Sequence, residues 1–267
     1  MAQIDVSIIQ LGVRLSKSES LKALEKLIGE AKGDLILAPE YSMFDPTGLD
    51  PSTIAKGAEE PGGEWLSRIR SKAREKGSCV VVGFFERAPG ASKPYNSVAV
   101  IDDRGEIAGI YRKTHLFDAL GFRESRYFTP GEKLFDPIEV CGVKLGLAIC
   151  FEIRYPEVIR HQAIMGAEIV AIPSAWYRGT GKEEQYHFLA RARAHENTVW
   201  IAAPILYGDS FTGRSLVVDP LGVVRMDAGY GEKILEYTID TREVEEARRK
   251  LPLLELRRPS LYKSLTG

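Results

Sequence analysis

Along the chain, hydrophobic positions fall into short continuous runs separated by stretches of helical period. Val6 to Leu11 is an apolar run of strand length, and Ser16-x-x-Glu19 then forms a capping box ahead of Leu21, Leu24, Leu27, Ile28 and Ala31 at helical spacing, with Gly33 as the stop. Leu35 to Ala38 predicts a short buried strand broken by Pro39, and a Gly-, Pro- and Asp-rich connection follows from Asp45 to Gly63. Trp65, Leu66, Ile69 and Ala73 share a helical face, Gly77 ends that helix, and Cys79 to Phe85 is rich in β-formers. The order to this point is βαβ-αβ.

The pattern then changes. Ser97 to Ile101 and Glu106 to Tyr111 flank Asp102-Asp103-Arg104-Gly105, which predicts a hairpin. Val143 to Ile149 is a further strand, Pro156 suits the first position of a helix ending near Gly166, and Glu168 to Ile172 is a strand after it. A helix from Glu183 to Asn197, a strand from Val199 to Ala203, a hairpin at Asp219-Pro220-Leu221-Gly222 and a charged helix from Glu243 to Lys250 complete the body. In the tail from Leu251 to Gly267, Pro252 and Pro259 argue against regular structure. Strands alternating with helices, mixed with hairpins, point to an α/β fold with a mixed sheet and helices on its faces. No linker-like composition interrupts the chain, so one domain over residues 1–267 is expected.

Composition narrows the function classes. With 267 residues, 44% hydrophobic and 27% charged, the chain matches ordinary globular proteins rather than disordered, collagenous or coiled-coil ones. Lys+Arg 36 against Asp+Glu 37 leaves a net charge of −1, which provides no bulk field for nucleic acid or an anionic membrane. The opening residues lack the basic and apolar regions of a signal peptide, and no apolar stretch approaches the ~18 residues of a membrane span, so a cytoplasmic location is expected. The 3 cysteines, Cys79, Cys141 and Cys150, are widely spaced, which suggests neither a disulfide framework nor a thiolate zinc site. Cys79 among valines and Cys141 at a turn read as small buried hydrophobes.

Reactive groups in α/β sheets gather beyond strand ends, and three segments place chemistry there. Leu35 to Ala38 leads to Glu40, Ile110-Tyr111-Arg112 leads to Lys113, and Val143 to Ile149 leads to Cys150. These supply an acid/base, a cation and a nucleophile. The polar segment after Cys150 is a strand-to-helix turn, where a thiol is exposed and helix amides lower its pKa. Neither H-E-x-x-H, nor the glycine-rich phosphate loops, nor G-x-S-x-G occurs, and none of the local sequence of a papain-like site surrounds Cys150.

Pro39-Glu40, Tyr111-Arg112-Lys113-Thr114-His115-Leu116-Phe117 and Ile149-Cys150-Phe151-Glu152-Ile153-Arg154-Tyr155-Pro156-Glu157 resemble, in the same order, the three catalytic segments of the nitrilase superfamily of carbon–nitrogen hydrolases. Phe128-Thr129-Pro130-Gly131, Pro173-Ser174-Ala175-Trp176, Ala190 to Asn197 and Arg257 to Tyr262 extend the resemblance over nearly the whole chain. It implies a four-layer α-β-β-α sandwich with two packed sheets, and an omega-amidase or deaminated-glutathione-amidase type of activity, with no cofactor and no metal. It also implies a two-fold subunit interface, so at least a homodimer is expected, with residues 251–267 docking on the partner subunit. Glu152 departs from the Asp or Asn usual at that place, and the extra methylene is expected to alter the pocket.

The implied chemistry is hydrolysis of a small linear amide by water through a thioester. Cys150 attacks as the thiolate, Lys113 and the Phe151 N–H stabilise the oxyanion, and Glu40 moves the protons; by similarity Glu124 holds Lys113 and the substrate. Glu124 otherwise reads as a solvated charge. Arg154 suits a substrate carboxylate or an ion pair with Glu157 or Glu196, and Trp176 and Tyr177 suit a pocket wall or a dimer contact. N-carbamoyl hydrolysis, a true nitrilase and a non-catalytic scaffold are the other readings.

Overall fold

Alternation within each strand decides the layering. A computed structural model describes residues 3–87, 89–90 and 92–262. The chain runs β1 (Gln3–Gln10), α1 (Lys17–Glu30), β2 (Leu35–Leu37), α2 (Pro51–Gly57), α3 (Glu64–Lys76), β3 (Cys79–Glu86), β4 (Tyr95–Ile101), β5 (Ile107–Arg112), and a small hairpin of β6 (Asp118–Ala119) and β7 (Phe122–Arg123). It continues through β8 (Ile138–Val140), β9 (Val143–Leu147), α4 (Pro156–Ile164), β10 (Ile169–Ala171), α5 (Lys182–Asn197), β11 (Trp200–Ala203), β12 (Leu216–Val218), β13 (Val224–Asp227), β14 (Lys233–Asp240) and α6 (Arg242–Lys250).

One six-stranded sheet has the order β14-β1-β2-β3-β4-β5 and the other β13-β12-β11-β10-β9-β8. In each, three parallel strands at the centre (β1, β2 and β3; β9, β10 and β11) are flanked by antiparallel ones. Successive residues of a strand face opposite sides. Thus Leu35, Leu37 and Val81 join Leu145, Leu147, Ile169 and Ala171 between the sheets, while Ile36, Val80 and Val82 pack outward with Leu24, Leu27, Ile28, Trp65 and Ile69 of α1 and α3. The helices α4 and α5 cover the second sheet through Val158, Ile159, Ala163, Ala190 and Ala194. The result is the four-layer α-β-β-α sandwich.

The local signals hold with several additions. The Ser16 hydroxyl accepts from the Glu19 N–H at the start of α1, and Gly77 closes α3 in the left-handed conformation; α1 itself ends before Gly33, at Glu30. The connection from Asp45 to Gly63 contains a helix, α2, because the Asp50 carboxylate caps the N–H groups of Ser52 and Thr53 and Pro51 takes the first position. The short edge strand β8 and the half-exposed β14 add to the strands that the pattern predicts. In the tail, Pro259–Leu261 forms a 3-10 turn, and its final segment, residues 263–267, lies outside the described residues, as do residues 1 and 2. Among the described residues no helix is long and apolar enough to cross a membrane.

One expectation is overturned. Cys79 and Cys141 form a disulfide, joining the start of β3 in the first sheet to the turn before β9 in the second. Residues 62 apart in sequence meet only because the two sheets stack, so spacing alone gave no sign of the pairing.

Candidate active site

The chemistry collects beyond the carboxyl ends of two central parallel strands, β2 and β9, and of the edge strand β5. Past β2 the chain passes Pro39 to Glu40, whose side chain is 1% exposed. The adjoining backbone lies against β3 at Gly83, where a Cβ would stand 2.7 Å from the Pro39 carbonyl and 2.9 Å from the Glu40 Cα. Past β5 comes Lys113, tied by its backbone to the Asn96 carbonyl and by the Gly131 N–H to its own. Past β9, Cys150 adopts φ 47° and opens a 3-10 turn through Arg154. A left-handed conformation at a non-glycine residue stores strain of the kind active sites use to aim a nucleophile.

Lys113 Nζ donates to Glu40 Oε1 at 2.8 Å and to the Glu124 oxygens at 2.9 and 3.1 Å. Asn96 Nδ2 bridges the same two carboxylates at 2.7 and 2.8 Å. The other oxygen of Glu40 accepts from the Ala175 N–H at 2.8 Å, and Glu124 also accepts from the Phe117 N–H at 2.6 Å and the Tyr41 hydroxyl at 3.3 Å. Glu124 is thus buried rather than solvated. Burial alone would lower the Lys113 pKa, but Glu124, Glu40 and Cys150 outweigh it and hold the ammonium well above its usual value.

The thiol behaves differently from the thiolate expected of a helix start. Burial and the Glu40 carboxylate push the Cys150 pKa up, and the opposing pull of Lys113 does not compensate. The resting group is therefore the thiol, with its base beside it. The turn that carries it is held by Glu152, fully buried and pointing away from the cavity. One Glu152 oxygen accepts from the Ile149 N–H at 2.8 Å, and the other from the Tyr111 hydroxyl at 2.8 Å, the Thr114 hydroxyl at 2.7 Å and the Thr114 and His115 N–H groups at 2.8 and 3.2 Å. This carboxylate fastens the cysteine turn to the segment just after Lys113. Glu152 is absent from the cavity wall, so its extra methylene serves reach, not pocket shape.

One cavity is lined by Glu40, Lys113, Cys150, Phe151, Arg154, Trp176 and Tyr177, together with Tyr41, Phe117, Ala175 and Lys182. All eight residues singled out from the sequence, except Glu124 behind Lys113, therefore reach one cavity. Arg154 makes no ion pair among the described residues; Glu196 pairs instead with Arg193 at 2.9 Å. The Arg154 guanidinium lies 4.0 Å from the Trp176 ring centre and 5.1 Å from that of Phe151. Tyr177 stacks on Phe211 at 5.0 Å and faces Phe117 and Phe122 at 6.2 and 5.7 Å, forming the aromatic mouth.

Sequence reasoning passed over Asn96, Glu152 as a brace, and Lys182. Asn96 had a signal: a side-chain amide beside Ser97 at the head of the apolar run Val98 to Ile101, which a buried strand tolerates only with partners. Lys182 had none, since its approach to Trp176 depends on how the loop before α5 folds.

The carbon–nitrogen hydrolase family model matches residues 5–249. A deaminated glutathione amidase of Rattus norvegicus is 33% identical, over 97% of this chain and 84% of its own. Among solved structures, Saccharomyces cerevisiae Nit3, a member of branch 10 of the nitrilase superfamily, superposes with a TM-score of 0.86 at 28% identity, covering 96% of this chain and 97% of its own. An amidase from Nesterenkonia sp. AN1, with the acetamide moiety of fluoroacetamide added covalently at its active-site cysteine, gives 0.82 at 25% identity, covering 98% and 96%. A sandwich that converges two carboxylates, a lysine and a cysteine beyond its strand ends, matched over this span, belongs to the carbon–nitrogen hydrolase family of the nitrilase superfamily, and the protein is a hydrolase of carbon–nitrogen bonds.

Proposed function

We propose that Cys150, Glu40, Lys113 and Glu124 hydrolyse a small linear amide bearing a carboxylate, giving a carboxylic acid and ammonia. The observation that carries this reading is the Lys113 ammonium held between Glu40 and Glu124 at the wall of the cavity that holds Cys150. Because the resting sulfur is a thiol, Glu40 takes its proton as Cys150 attacks the amide carbon. The oxyanion forms beside Lys113 and the Phe151 N–H, one of the first amides of a turn, which have no acceptor within it. Collapse expels ammonia with the proton from Glu40 and leaves a thioester. Glu40 then deprotonates water, which attacks the thioester carbon and regenerates the thiol.

Glu124 positions Lys113, and Arg154 supplies a cation for the carboxylate at the far end of the acyl chain, with Phe151, Trp176 and Tyr177 as the walls. Ammonia release from a panel of linear amides, N-carbamoyl compounds and nitriles tests the reading. Release from carboxylate-bearing amides supports it, and turnover confined to nitriles or carbamoyl compounds would sink it.

The proposal extends to assembly and place. The whole chain is one catalytic domain working without metal or cofactor, in the cytoplasm, as a homodimer or larger. Leu256, Leu261 and Tyr262 of the tail and Phe188 of α5 are exposed, at 71%, 56%, 41% and 70%, a set of apolar side chains suited to a partner subunit. A monomer by light scattering at micromolar concentration would contradict this.

A further inference from the structure

Two cations in the cavity have no counter-ion. Lys113 is balanced by Glu40 and Glu124, whereas Arg154 and Lys182 form no ion pair among the described residues, and neither head group donates a hydrogen bond to a protein acceptor there. Both are brought to one ring. The Lys182 ammonium lies 4.5 Å from the centre of Trp176 and 6.0 Å from that of Phe117, and the guanidinium of Arg154 lies 4.0 Å from the same Trp176.

The placement is built. Lys182 is 8% exposed and is the first residue of α5, after Gly181 in the left-handed conformation. Its carbonyl accepts from the Trp176 indole N–H at 2.8 Å, so backbone and ring are locked in register. Burial and the like charge of Arg154 both disfavour the ammonium there. A surface lysine would turn to water; this one is directed into the cavity wall, where an anion would relieve both unbalanced charges.

We propose that Lys182 is a specificity-determining residue that shares, with Arg154, the carboxylate at the non-reacting end of the substrate. The proposal rests on the amidase reading and adds to it one residue of this chain, Lys182, as a second cation for the carboxylate which that reading assigns to the substrate. The guanidinium takes the carboxylate edge-on, the ammonium takes one oxygen as a point charge, and Trp176 sets the spacing between them.

The experiment compares Lys182→Met and Lys182→Arg with the unaltered protein in two assays. The first is the ratio of kcat/KM for succinamate over butyramide. In Lys182→Met that ratio falls about 10- to 100-fold, the loss of a charge-assisted hydrogen bond in a desolvated site. The fall resides in KM, and Lys182→Arg recovers most of it. The second assay does not require hydrolysis: succinate and glutarate protect Cys150 from iodoacetamide, butyrate protects weakly, and Lys182→Met weakens dicarboxylate protection by a similar factor. A ratio and a protection constant within two-fold of the unaltered protein, or a loss borne by kcat, would overturn the proposal. Absence of ammonia release from every amide would instead defeat the amidase reading, with protection still deciding the role of Lys182.

Discussion

Reducing the Cys79–Cys141 bond should cost stability and spare catalysis. The disulfide closes a loop spanning 62 residues, which carries Lys113 and Glu124. Chain-entropy reasoning for a loop of that length gives about 4 kcal/mol of stabilisation at 25 °C. With a guanidinium dependence of roughly 5 kcal/mol per molar, the midpoint of unfolding should drop by on the order of 0.8 M on reduction. The site lies at the other end of the sheets. Cys79 pairs with Leu35 at the start of β2, whereas Glu40 follows the end of that strand; Cys141 precedes β9, and Cys150 follows it. Turnover at 25 °C should therefore stay within two-fold.

The assay is guanidinium unfolding followed by far-UV circular dichroism, with and without dithiothreitol, for the unaltered protein and for Cys79→Ala combined with Cys141→Ala. Reductant should shift the first and leave the second unmoved. Equal midpoints for the oxidised and reduced protein, or a reductant effect that persists in the double variant, would refute the reasoning.

With two cysteines bonded, iodoacetamide should label the native protein at Cys150 alone, and Cys150→Ala should retain the fold and lose all turnover; mass spectrometry and ammonia assay check both. Lys113→Met removes the group that pulls the Cys150 pKa down, so the pH profile of alkylation should move up and the rate at neutral pH should fall. Glu40→Gln removes a charge that pushes it up, so alkylation should accelerate while hydrolysis disappears for want of a proton carrier; an unmoved profile in either variant would separate that residue from the sulfur. Glu152 is held below the usual carboxylate range, because the hydrogen bonds from His115, Thr114 and Ile149 outweigh the opposing effect of its burial. Its contribution to stability is thus present above the unfolded value near ~4.3 and lost as pH falls through the lower folded value. Glu152→Gln should set an amide donor against donors of the cradle, lower stability by about 1–3 kcal/mol at neutral pH, and flatten the acid end of the stability curve.

Local pattern determined a great deal of this protein. The alternation of apolar runs with helical faces specified α1, α3, α4 and α5 and the central strands, because burying one face of each element is a demand each segment carries by itself. Glu40, Lys113 and Cys150 were legible for the same reason: each follows an apolar strand, and strand ends are where an α/β sheet exposes polar groups. Family likeness added the second sheet and Glu124, which stands in a charged segment with nothing local to bury it.

Tertiary structure decided whatever depends on two distant segments meeting. Stacking of the sheets paired Cys79 with Cys141. The convergence of Glu40 and Lys113 gave Asn96 two carboxylates to bridge, and the reach of Glu152 to Thr114 turned a departure at the nucleophile turn into a brace. The direction of the Cys150 pKa followed suit, since a helix start predicts a lowered value, and burial together with the neighbouring Glu40 carboxylate raises it. Lys182 belongs here too: a lysine opening a polar helix is ordinarily a solvated charge, and it is buried at the cavity only because the fold lays Trp176 beside it.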